Sequence, residues 1–150
     1  MSESIPENSI PFLKKPNKIK VSIISSKFNE NIVTELLDTT EIRLIELGVA
    51  KENISKIFVP GAFEIPFAVI KAKEKFNPHS IICLGAIIRG QTTHYDLISK
   101  SVFSSLSYLN TSISIPVING VITTENITQA EERISNGNYY AESCIEMIKL

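Results

Sequence analysis

Ile81-Ile82-Cys83-Leu84-Gly85-Ala86-Ile87-Ile88 is a run of eight residues without a charge or a hydroxyl. Apolar at every position and rich in β-branched residues, it suits a strand buried on both faces better than one with a wet side. Strands of that kind belong to parallel sheets whose crossovers lay helices against both surfaces. Upstream, Ile19 to Ile24 has the same character and stops at Ser25-Ser26, and Ile54 to Val59 repeats it before the break at Pro60-Gly61. Downstream, Ile113 to Ile122 predicts a fourth strand.

Between these runs the apolar spacing becomes helical. Asn29 is placed to cap a helix with Val33, Leu37, Leu44 and Leu47 on one face and Gly48 as its stop. Phe63 to Phe76 predicts a second helix with Pro66 in its first turn, and Thr93 to Leu109 a third with Leu97 or Ile98, Val102 and Leu109 inward. Asn126 and Gln129 resemble a capping box, opening a helix through Ile127, Ala130 and Ile134 that Gly137 ends. Tyr139 to Leu150 predicts the last helix. The alternation defines an α/β fold: a three-layer α/β/α sandwich of flavodoxin-like type, with a four-stranded parallel sheet and helices on both faces. Residues 18–150 form this domain. Residues 1–17, with Pro6, Pro11 and Pro16, form an N-terminal arm carrying one short extended piece at Ile10 to Leu13.

Composition narrows the function. In 150 residues, 43% are hydrophobic and 21% charged, which excludes a disordered chain. Fifteen basic against 16 acidic residues leave a net charge of −1, with no excess to drive binding to nucleic acid or an anionic membrane. No apolar run approaches the ~20 residues of a spanning helix, and no signal core opens the chain, so a cytoplasmic protein is expected. Cys83 and Cys144 sit among apolar residues without C-x-x-C spacing, as buried thiols do.

In open parallel sheets ligands bind beyond the carboxyl ends of the strands, which directs attention to four loops. In Arg89-Gly90-Gln91-Thr92-Thr93-His94-Tyr95-Asp96, Gly90 lets the backbone approach a ligand, and Gln91, Thr92 and Thr93 bring N–H groups and hydroxyls to a helix start. Such a loop either binds an anion or only caps its helix. His94 is either a proton carrier near neutral pH or a surface residue, whereas His79, at the opposite end of the sheet, has no expected role. Phe28 either stacks on a flat ring or staples its own helix. Phe63 is expected in the core, and Glu64 as a complement to a helix dipole. Arg133 either reaches back toward an anion or pairs with Glu131 or Glu132 on a wet face. No P-loop Lys and no G-x-G-x-x-G fingerprint occur, so neither a nucleoside triphosphate nor a dinucleotide is indicated.

Three stretches together are specific. Val59-Pro60-Gly61-Ala62-Phe63-Glu64-Ile65-Pro66, Leu84 to Asp96, and Gly120-Val121-Ile122-Thr123-Thr124-Glu125-Asn126-Ile127 with Gln129-Ala130 and Arg133 resemble the motifs of 6,7-dimethyl-8-ribityllumazine synthases. The resemblance runs from about Lys18 to Met147 and implies a transferase of riboflavin biosynthesis. Such an enzyme joins 5-amino-6-(D-ribitylamino)uracil to 3,4-dihydroxy-2-butanone 4-phosphate, with neither metal nor organic cofactor. It further implies that Phe28 stacks on the uracil, that Ala62, Phe63, Glu64, Ala86, Ile87 and Ile88 hold its edge and ribityl chain, and that Gln91, Thr92 and Arg133 bind the phosphate. His94 would carry protons, and Arg133 would come from a neighbour in a homopentamer.

Two features depart from the family pattern. Asn119 stands where an aromatic residue usually lies against the pyrimidine, and the Ile134 to Tyr140 connection is shorter than in capsid-forming relatives. With the prolines of the arm, the short connection implies a free pentamer or a pair of pentamers instead of a closed shell. Two other readings compete: an archaeal-type riboflavin synthase, whose reaction has no phosphate substrate to occupy the Gly90 loop, and a non-catalytic lumazine- or flavin-binding protein.

Overall fold

A computed structural model describes residues 9–90 and 94–150. Its four strands are β1 (Val21–Ser26), β2 (Ile54–Val59), β3 (Ser80–Ile88) and β4 (Val117–Thr124), all parallel in the order β2-β1-β3-β4. The helices are α1 (Glu30–Glu46), α2 (Ile65–Phe76), α3 (Tyr95–Ser112), α4 (Ile127–Glu132) and α5 (Asn136–Ile148). Every residue of β1 and β3 is buried, which only a covered parallel sheet permits.

Alternation along the strands sorts the core into two layers. Val21, Ile23, Ile82, Leu84, Ala86, Ile88 and Ile122 face α1, α4 and α5. Ile24, Val59, Ile81, Cys83, Ile87, Val117 and Val121 face α2 and α3. The helices after β1 and β3 therefore leave on opposite faces, and a crevice opens between the carboxyl ends of those two neighbouring strands. Register sharpens it. Pairing of β1 with β3 ends at Ser25 and Leu84, whereas pairing of β3 with β4 runs on to Ile88 and Thr124.

Several expectations are corrected. The fourth strand starts at Val117, not Ile113, because Ser114 is left-handed (φ 65°) and Pro116 has no N–H to give a ladder. The second helix starts at Ile65, preceded by a 3-10 turn over Ala62–Glu64, and this changes which side chains point inward. Phe63, expected in the core, is 64% exposed, while Ala62 and Ile65 are buried. In α3 it is Ile98 that packs inward, with Leu97 69% exposed. Ile10 to Leu13 makes no strand among the described residues; Leu13 instead donates its N–H to the Leu47 carbonyl at 2.8 Å.

Gly137 does not end α4 but lies in the first turn of α5, where α5 crosses α1. A Cβ there would meet Thr40 Oγ1 at 2.8 Å and Thr39 Cβ at 2.9 Å. The same helix pair is tied by Arg43 and Glu142, whose carboxylate is nearly buried and lies 3.0 Å from the guanidinium. Gly137→Ala sets a helix-propensity gain of at most about 1 kcal/mol against an overpacking cost of about 1–3 kcal/mol, and the cost should win. Urea unfolding is expected to show reduced stability, and a more stable variant would contradict the close approach.

Candidate functional site

A cavity of about 290 Å³ lies at the carboxyl ends of β1, β2 and β3, lined by Phe28, Gly61, Ala62, Phe63, Glu64, Ala86, Ile87, Ile88 and Ile98. It occupies the switch point of the sheet, where open α/β folds bind ligands. Seven of the residues marked from sequence meet there; Gly61 and Ile98 were not marked. Phe28 and Phe63 are 55% and 64% exposed, so two aromatic faces remain available to a planar ligand. Beyond Leu84, β3 has a strand partner on one side only. The amide groups that alternate residues turn toward β1 can therefore meet the edge of a ring.

The walls are held from several elements. Lys27 and Phe28 donate their N–H groups to the carbonyls of Val59 and Pro60, at 2.8 and 3.0 Å, which fastens the loop after β1 to the loop after β2. Glu64 returns its carboxylate to the Gly61 N–H at 3.1 Å, so its role is more local than a dipole complement. Asn29 stands at the N-cap position of α1 in a left-handed conformation (φ 61°), but its side chain caps nothing. Its Nδ2 reaches across the crevice and donates to the Ala86 carbonyl at 2.8 Å. That bond supplies a partner just where β1 has turned away from β3.

The remaining candidates lie apart. Gln91 and Thr92 are outside the described residues. His94 is exposed and immediately precedes α3; its carbonyl accepts from the Ile98 N–H at 2.9 Å, which sets it one turn from a residue of the cavity wall. Gly90 has φ 87°, a conformation that glycine adopts without strain. Asn119 and Arg133 line a different cavity, of about 330 Å³, beside the edge strand β4 with Phe103, Asn136, Tyr139 and Tyr140. Asn119 Oδ1 accepts the Val121 N–H at 3.0 Å, occupying one donor of that edge. Arg133 ends α4 and donates through Nη1 to the Thr123 carbonyl at 2.8 Å, and it forms no ion pair with Glu131 or Glu132 among the described residues. Asn136 Oδ1 is buried there without a partner. Burial raises the Tyr140 hydroxyl above its ordinary range, opposed by a hydrogen bond from Asn136 and by the charge of Arg133.

Burial pushes the Cys144 thiol up to about 12 and Cys83 further still, so neither is a nucleophile at neutral pH. His79 ties the far end of the sheet, accepting the Lys20 N–H on Nδ1 at 3.0 Å. Among the described residues no helix is long and apolar enough to cross a membrane.

Fold and cavity together define a flavodoxin-like α/β protein with a largely apolar cavity at the switch point of its sheet. A family model for 6,7-dimethyl-8-ribityllumazine synthase matches residues 18–150. The chain belongs to that family, whose members are transferases of riboflavin biosynthesis acting on small molecules.

Removing the bridge across the crevice should be felt in the fold. Asn29→Ala leaves the Ala86 carbonyl without its donor and keeps a Cβ in the left-handed region, and is expected to cost about 1–3 kcal/mol in urea unfolding. Asn29→Gly loses the same hydrogen bond but sheds the left-handed Cβ and should cost less. An alanine variant as stable as the native protein would show that the bridge contributes nothing.

Proposed function

We propose that this chain condenses 5-amino-6-(D-ribitylamino)uracil with 3,4-dihydroxy-2-butanone 4-phosphate to give 6,7-dimethyl-8-ribityllumazine, phosphate and water. The observation that carries the reading is the switch-point cavity, because seven of the nine residues that line it fall in stretches that resemble the family's motifs, within the span the family model matches. Phe28 stacks on the pyrimidine, the Ala86 to Ile88 edge and the Ala62 to Glu64 turn hold its rim and ribityl chain, and Gln91, Thr92 and Arg133 receive the phosphate.

The chemistry asks little of the protein beyond placement. The 5-amino group forms an imine with the ketone and releases one water, phosphate leaves by elimination, and the ribitylamino nitrogen closes the ring onto the remaining carbonyl with loss of a second water. Holding two reactive molecules in register lowers the barrier by removing translational and rotational freedom, and a positioned proton carrier adds about 10²–10⁴-fold. His94 is that carrier.

The active assembly is a ring of chains, a homopentamer, working in the cytoplasm. In one chain the planar-ring cavity and the cavity holding Arg133 and Asn119 are separate, and a second copy can bring one chain's Arg133 to its neighbour's cavity. Phe67 and Tyr108, 67% and 71% exposed across a groove between α2 and α3, are the kind of surface that such a neighbour covers.

Mixing both precursors with purified protein should produce lumazine absorbance together with released phosphate. Tight binding of a lumazine without turnover would replace the enzyme by a binding protein, and riboflavin formed from lumazine alone would favour the riboflavin synthase reading. In the same assay His94→Ala should slow turnover by about one to three orders of magnitude with the fold intact. Native rates in that variant would remove His94 from the mechanism.

A further inference from the structure

One cation at the mouth of the site is already fully engaged. Arg89 follows β3, and its Nε donates to the Glu125 carboxylate at 2.9 Å to one oxygen and 3.1 Å to the other. Its Nη1 and Nη2 donate to the Asp96 oxygens at 3.5 and 3.3 Å. Its guanidinium carbon lies 4.3 Å over the Tyr95 ring, and its backbone N–H donates to the Thr124 carbonyl at 2.9 Å. The end of β3, the first turn of α3 and the segment after β4 are thus drawn to one side chain, which bridges the base of the loop that carries His94.

Stability does not account for this arrangement. Arg89, Asp96 and Glu125 are 46%, 70% and 59% exposed, and ion pairs that wet contribute little to folding. Substrate charge does not account for it either. Two carboxylates already face the guanidinium, so an incoming phosphate would meet two negative groups for one positive. Arg133 faces the neutral Thr123 carbonyl and forms no ion pair among the described residues, so it has charge to spare.

We propose that Arg89 is a positioning residue: by clasping Tyr95, Asp96 and Glu125 it fixes the start of α3, and with it His94, relative to the switch-point cavity. The inference rests on the reaction proposed above. The fork of the guanidinium is essential to it, because an ammonium is a point charge that cannot serve two carboxylates and a ring face at once.

The test measures kcat and KM for Arg89→Ala, Arg89→Lys, Asp96→Asn and the double variant Arg89→Ala with Asp96→Asn, beside urea unfolding of each. Arg89→Ala is expected to lower kcat by about tenfold to a hundredfold, the scale of a small misplacement, with KM for the butanone phosphate nearly unchanged. Arg89→Lys should recover little. The double variant should be no worse than Arg89→Ala alone, as for residues acting as one unit. Unfolding midpoints should stay together. A raised KM with kcat intact would make Arg89 a phosphate ligand and overturn the proposal, as would multiplying effects in the double variant or a fall in stability that parallels the fall in activity. Amide exchange over residues 94–98, read by mass spectrometry on the protein alone, separates this failure from failure of the proposed reaction. Arg89→Ala should speed it severalfold even if the native protein turns over nothing, and unchanged exchange would overturn the clasp.

Discussion

β3 has no side that faces water. Nine consecutive buried residues demand cover above and below, and a strand in that position can be joined to its neighbours only by crossovers that place helices on both faces. From that constraint the rest follows in order. α1 and α5 cover one face, α2 and α3 the other, and the chain must reverse its direction of travel between β1 and β3. The reversal leaves β3 longer than its partner, and the overhang from Gly85 to Ile88 becomes the wall of a cavity. The binding place is thus a geometric by-product of how the sheet is wound. The Asn29 side chain occupies one of the backbone groups that the winding leaves without a strand partner, the Ala86 carbonyl.

Much of this was legible in the sequence because burial leaves a periodic trace. The strand runs at Ile19, Ile54 and Ile81, the inward stripe of α1 and the loops past the carboxyl ends were all readable from spacing. What escaped depended on contacts that have no period. The residue type alone puts Phe63 in the core and only the resemblance puts it in a substrate wall; a 3-10 turn over Ala62–Glu64 leaves it outward, lining the cavity. Gly137 reads as a stop in isolation, and only the approach of Thr39 and Thr40, far away in sequence, explains it. Asn29 is a natural cap by type, and its actual partner is 57 residues away. Arg89 stands in a motif whose spacing names no partner for it, since Glu125 reaches it across 36 residues of chain. The separation of Arg133 and Asn119 from the other candidates was foreshadowed for Arg133 alone, through the resemblance to a family with shared sites.

The cavity lining is sparse in titratable groups, which suits the proposed chemistry. The two thiols of the chain are buried away from it, the lining is largely apolar, and the one carboxylate among the described lining residues, Glu64, is occupied with the Gly61 N–H. The proposed reaction, between an amine and a ketone that react readily in water, needs orientation more than activation, and an apolar cavity with a few directional amide groups would supply that. The charged residues stand around the rim. There Arg89 is engaged by Asp96, Glu125 and Tyr95, and Arg133 is held on the edge of β4, from which the proposed function has it serve a neighbouring chain.

That division of one site between two chains is the central claim, and subunit mixing tests it directly. His94→Ala and Arg133→Ala chains, each impaired alone, would be dissociated, mixed in equal amounts and reassembled, and turnover compared with each parent. In a ring whose sites are shared head to tail, about a quarter of the mixed sites combine a native His94 from one chain with a native Arg133 from the next. Turnover well above both parents is the predicted result. A mixture no more active than the average of its parents would place His94 and Arg133 in the same chain's site and contradict the account.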